Sequence, residues 1–92
     1  MIEGKTKSGF KFKIDERVLD DWRLLSYIAM SESDNASEQI QGAYKLVSLL
    51  LGDDEKKFMD FIASKNDGFI PSSVVSDTLA EIIKSAKDLK NL

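Results

Sequence analysis

The hydrophobic period changes within one stretch, Ser8 to Ala29, which reads SGFKFKIDERVLDDWRLLSYIA. Phe10, Phe12 and Ile14 alternate with Lys11 and Lys13, the pattern of a strand with one apolar and one charged face. From Val18 onward, Val18, Trp22, Leu25 and Ala29 recur at spacings of four, three and four, the pattern of an amphipathic helix. No single regular element satisfies both periods, so the chain must turn a corner near Asp15. That residue is a natural N-cap, because its carboxylate can accept from the free amides of a first helical turn. No Glu or Gln stands three residues later, so the capping box is incomplete.

The strand face needs a second strand. Ile2 to Lys7 is predicted to pair with Phe10 to Ile14, turning at Ser8-Gly9, where glycine supplies the positive φ of a tight hairpin. Lysines 5, 7, 11 and 13 then keep the solvent face and the open edges charged, which discourages edge-to-edge aggregation.

The first helix is predicted from Glu16 or Leu19 to Met30. Val18, Trp22, Leu24, Leu25, Ile28 and Ala29 share its broad apolar face, the candidate core face. Leu19, Tyr27 and Met30 fall outside that face and read either as ordinary surface or as a protein-contact patch. Asp20 and Asp21 suit the positive end of the helix, and as a catalytic pair they would be splayed with no third group beside them.

Ser31 to Ser37 is the most polar segment and the clearest loop, offering Ser33, Asp34 or Ser37 as the next N-cap. A second helix follows to Leu51, with Ile40, Ala43, Tyr44, Val47, Leu50 and Leu51 on one face. Leu46 and Leu49 extend its apolar surface, which predicts a central position. Gly42 inside it costs about 1 kcal/mol relative to alanine, and a close helix crossing would explain it. Gly52 is its C-cap. Asp53-Asp54-Glu55 opens a third helix with Phe58, Phe61 and Ile62 as its buried stripe, ending near Lys65. The turn Asn66-Asp67-Gly68 echoes a calcium-binding loop, but with Gly68 at its sixth position the first, third and twelfth positions are Ala63, Lys65 and Val74. Those positions need oxygen ligands, so the motif is a left-handed turn and not a metal site.

A last helix is predicted from Pro71 or Ser72 to about Lys90. Val75, Leu79, Ile82, Ala86 and Leu89 step by four, three, four and three, a narrow seam with the spacing of coiled-coil a and d positions. Packing within the same domain is the first reading of this seam, and self-association or partner contact the second. The whole is expected to be one mainly α (α+β) domain over 1–92, with a short N-terminal β-hairpin at 1–14 and a bundle of about four helices at 16–91.

Composition narrows the function. The chain of 92 residues has neither cysteine nor histidine, which removes disulfides, thiolate metal sites and the commonest general base. A chain of this size buries roughly 60–65% of its surface, so its core is thin. The net charge of −3 is uneven. Residues 1–17 carry five basic and three acidic side chains, residues 18–56 three and eight, and residues 57–92 five of each. An acidic middle argues against a phosphate backbone as partner. No stretch has the apolar length of a membrane span or the pattern of a signal peptide. These features predict no nucleic acid, no membrane, no cofactor, no metal and no enzymatic activity.

Four ordered motifs carry a family resemblance: Gly9-Phe10-x-Phe12-x-Ile14-Asp15, Val18-Leu19-Asp20-Asp21-Trp22-x-Leu24-Leu25, Leu49-Leu50-Leu51-Gly52, and Asp67-Gly68-x-Ile70-Pro71 before the final helix. In this set the chain resembles the tail assembly chaperones of long, non-contractile-tailed bacteriophages and prophages. It departs from their usual look in the loop Ser31–Ala36 and in its serine-rich final helix. The resemblance implies a small helical protein of the bacterial host cytoplasm, absent from the finished virion. Such a protein binds the tape-measure protein and helps recruit tail-tube protein around it, and it is commonly made in a second, frameshifted form. The candidate contact residues are then Leu19, Tyr27 and Met30, together with Val75, Leu79, Ile82, Ala86 and Leu89, with a homo-oligomer as a further expectation. The alternative is a small acidic helical adaptor or regulatory module that binds another protein.

Overall fold

The computed structural model describes residues 1–91. Strands β1 (Ile2–Lys5) and β2 (Lys11–Ile14) pair antiparallel, with Ile2 opposite Ile14 and Lys5 opposite Lys11. The loop is wider than a two-residue turn. The Gly9 amide donates to the Thr6 carbonyl at 3.0 Å, and the Thr6 amide donates to the Phe10 carbonyl at 2.9 Å, so Lys7, Ser8 and Gly9 form the connection. Gly9 takes the positive φ of 105° that closes it. The buried Thr6 hydroxyl accepts from the Phe10 amide at 3.0 Å. Alternation holds as the sequence predicts, with Ile2, Phe10, Phe12 and Ile14 inward and the lysines outward.

The first helix differs from the prediction, because the chain caps twice. The Asp15 carboxylate accepts from the Arg17 amide and starts only a short 3₁₀ turn, Glu16–Asp20. Asp21 then returns to extended backbone, with ψ of 129°, and accepts from the Arg23 amide at 2.8 Å. Helix α1 is therefore Trp22–Ser31, beginning six residues after Glu16 and turned to a different phase.

Helix α2 (Ala36–Leu51) is capped by Asn35, whose side chain accepts from the Glu38 amide at 3.0 Å, and not by Ser33, Asp34 or Ser37. It ends at Gly52, where φ is 51°. After a 3₁₀ turn at Gly52–Asp54, α3 (Glu55–Lys65) closes on the Gly68 amide, which donates to the Ala63 carbonyl at 2.8 Å. Asp67 and Gly68 both take left-handed backbone, so this segment is the turn that the sequence predicts. Helix α4 (Ser72–Lys90) begins after Pro71.

One core serves all elements. Ile14, Leu24, Val47, Phe58, Ile62 and Ile82 are its largest fully buried side chains, one or two from each part of the chain. The Phe10 ring meets Phe58 edge-on at 5.2 Å between centroids and Phe61 at 5.4 Å, which fastens the hairpin to α3. At the other end Lys90 pairs with Asp20 at 3.0 Å, and Glu81 accepts from the Lys7 amide at 2.7 Å. These two contacts lay α4 along the hairpin and the 3₁₀ turn Glu16–Asp20. The architecture is mainly α with an N-terminal hairpin.

Candidate protein-contact surface

The seam of α4 faces inward. Val75, Leu79, Ile82 and Ala86 are all buried in the core, and of these four Leu79 also lines the cleft between α1, α2 and α4. The physical reason is the thin core, in which the apolar underside of a two-stranded sheet must be covered by the longest helix. Leu89 alone remains exposed. One of its methyl carbons lies 3.1 Å from where a Cβ on Gly4 would stand, so the end of the seam rests on β1.

The apolar residues of α1 are distributed differently from the sequence reading. Leu19, Tyr27 and Met30, placed outside the core face by the pattern, are half-buried, and Leu19 and Tyr27 pack on the core. The Lys45 ammonium sits 5.6 Å over the Tyr27 ring. Conversely Trp22 is 83% exposed and Leu25 65%, and Ala29 is exposed with them. These three stand at spacings of three and four and form an outward apolar stripe. The break at Asp21 resets the helical phase, so the inward arc centres on Leu24, Tyr27, Ile28 and Ser31. A signal for this was present: Asp21-x-Arg23 repeats Asp15-x-Arg17, and each Asp caps its own turn.

On α2 the outcome is split. Gly42, Leu46, Val47, Leu50 and Leu51 are buried, but Ile40 and Tyr44, expected on the core face, are exposed at 57% and 68%. Gly42 marks the predicted close crossing. A Cβ there would stand 2.7 Å from the Cβ of Met30.

Between α1, α2 and α4 lies a cleft of about 430 Å³. Ile28, Ala43, Leu46, Leu79, Ala80 and Ile83 make its floor and walls, and Glu32, Lys84 and Lys87 stand at its rim. Along α4 it follows Ser76, Ala80, Ile83 and Lys87, at spacings of four, three and four. This second stripe is one step around the helix from the buried seam, and sequence periodicity hides it because half its members are polar. A second hollow of about 410 Å³, lined by Arg23, Tyr27, Tyr44, Lys45, Ser48 and Leu49, is more open and more polar.

The perturbed carboxylates lie apart from the α1–α2–α4 cleft. Side-chain hydrogen bonds from Arg17, then the Arg17 amide, hold Asp15 at about 2, and Arg23 does the same for Asp21. Both are helix caps. The cleft brings together apolar side chains, two ammonium groups and one carboxylate, which suits recognition of another chain. Among the described residues no helix is long and apolar enough to cross a membrane. Compared with protein-family models, curated proteins and solved structures, the chain matches none.

Proposed function

We propose that the protein is a phage tail assembly chaperone, an interaction protein that binds the tape-measure protein and assists assembly of tail-tube protein around it. The observation that supports this most is the apolar cleft between α1, α2 and α4, beside a helix whose Trp22, Leu25 and Ala29 face outward. A protein that shields amphipathic helices needs such unpartnered apolar surface on a stable scaffold. The four sequence motifs support the family reading, and the cleft is the surface at which we propose the contact. In this reading the protein works in the host cytoplasm, has no catalytic role and leaves before the virion is complete. A longer, frameshifted form would be encoded by a slippery A-rich heptamer at the Lys90-Asn91 codons.

Co-expression with the tape-measure protein tests it. Wild-type protein should keep the tape-measure chain soluble and co-purify with it, whereas Trp22→Glu combined with Leu25→Glu should lower recovery severalfold while the variant itself stays folded. No co-purification from wild-type cells would overturn the proposal and leave the adaptor reading.

A further inference from the structure

We infer that the α1–α2–α4 cleft is a groove for one amphipathic helix whose apolar ridge is flanked, on the side facing α4, by acidic residues. This deepens the chaperone reading and rests on it only for a tape-measure chain being the natural source of such a helix.

The occupant is helical because of what the walls lack. Every wall is an α-helix whose backbone groups are bonded internally, and the sheet lies elsewhere. An extended peptide laid in the cleft would bury amides and carbonyls with no edge strand to receive them. A helix satisfies its own backbone and brings only side chains. The dimensions agree. From Ser76 to Lys87 the α4 wall rises about 16 Å, three turns, which matches anchors at i, i+3 or i+4, and i+7. Ser76, Ala80 and Ala43 are small, so a ridge of Leu- or Met-sized side chains can sit between the walls.

The charge follows from the rim. Lys84 and Lys87 line the α4 side, and among the described residues neither makes an ion pair, unlike Lys56, Lys57 and Lys90. Asp77 and Asp88 lie further around α4 and do not line the cleft, and Glu81 is engaged by the Lys7 amide. The opposite wall carries one acid, Glu32. The groove thus presents two cations on one lip and one anion on the other. Acids on the α4 side of the incoming helix gain attraction there, and lysines in their place meet like charge.

The probes are two synthetic 15-residue helical peptides with the same leucine ridge, flanked by Glu in one and by Lys in the other. Binding to the full chain is read by fluorescence anisotropy and by amide chemical shifts. The acidic peptide should bind about tenfold more tightly, as expected for two surface ion pairs replaced by two repulsions, and the difference should shrink at high salt. Amides of Ser76 to Lys87 and of Ile28 to Glu32 should shift. Lys84→Glu with Lys87→Glu should reverse the preference, and Ala80→Arg, at an exposed position, should block both peptides. Equal binding of the two peptides, shifts confined to other surfaces, or shifts in the cleft on dilution of the protein alone would overturn the inference. The last would make a second copy of the chain the occupant. Because the peptides contain no tape-measure sequence, peptide binding without tape-measure recovery would sink the chaperone reading alone. Tape-measure recovery unaffected by Ala80→Arg would sink this groove alone.

Discussion

Gly42 on α2 lies against the backbone of Ser31 on α1, so close that a Cβ on the glycine would stand 2.4 Å from the Ser31 amide nitrogen. Backbone cannot step aside as a flexible side chain can. In an exposed helix Gly→Ala gains about 1 kcal/mol of helix propensity. Here overpacking of about 1–3 kcal/mol or more opposes that gain, because α1 and α2 must separate. Gly42→Ala is therefore expected to destabilise the protein by about 1–2 kcal/mol, read from the urea midpoint at unchanged m-value. A stabilised variant would mean that the helices do not cross there.

Leu24 and Leu25 are chemically identical neighbours about 100° apart around α1, one buried and one 65% exposed. Leu24→Ala should cost about 2–5 kcal/mol through lost burial and a residual cavity. Leu25→Ala should stay within about 0.5 kcal/mol. Thermal or urea unfolding of the two variants measures the phase of the helix directly, and equal losses would contradict it.

Lys5 and Lys11 stand directly opposite each other on the outer face of the hairpin, while Lys13 faces Glu3 at 4.0 Å. Like charges at paired strand positions repel, at a cost of some tenths of a kcal/mol. Lys11→Glu should raise stability by about 0.2–1 kcal/mol at low ionic strength, and the gain should fade toward 1 M salt as screening shortens the interaction. An unfolding series in sodium chloride checks both halves.

Asp15 and Asp21 are held at about 2 in the folded chain, below the ordinary carboxylate value of 3.8, chiefly because Arg17 and Arg23 hydrogen-bond their carboxylates. A folded-state pKa below the unfolded one means that the stabilisation is complete above about pH 4 and is lost as pH falls through 2. Both sites are solvent-accessible, so each contribution is modest. Asp21→Asn keeps a side-chain acceptor for the Arg23 amide but removes the charge. The fall in urea midpoint from pH 5 to pH 2.5 should therefore be smaller in the variant, and an identical fall would assign the acid sensitivity elsewhere.

Much of the fold is legible in the local pattern. The alternation of Phe10, Phe12 and Ile14 gives the hairpin its inner face, and Gly52, Asp67-Gly68 and Pro71 end or begin helices where backbone chemistry requires. The contact surface is much less legible. The unbroken four-three-four run from Val18 to Ala29 places Trp22 and Leu25 inward and Tyr27 outward. One extended residue, Asp21, interrupts the run and rotates everything after it. On α4 the reverse holds, because the strong Val75–Ala86 seam is core and the weaker Ser76–Lys87 stripe faces the cleft.

The sequence by itself determines the class of element at nearly every position, because period, caps and turn residues act over a few bonds. It also determines the lysine-backed strand face and the acidic middle. Which apolar face of each helix is buried was decided only by the tertiary structure. α1 and α2 each carry apolar side chains on both sides of the helix, and in a core this thin only one side can be covered. The close approach at Gly42 and the clasp of α4 over the hairpin select that side, leaving Trp22, Leu25 and the α1–α2–α4 cleft to the solvent.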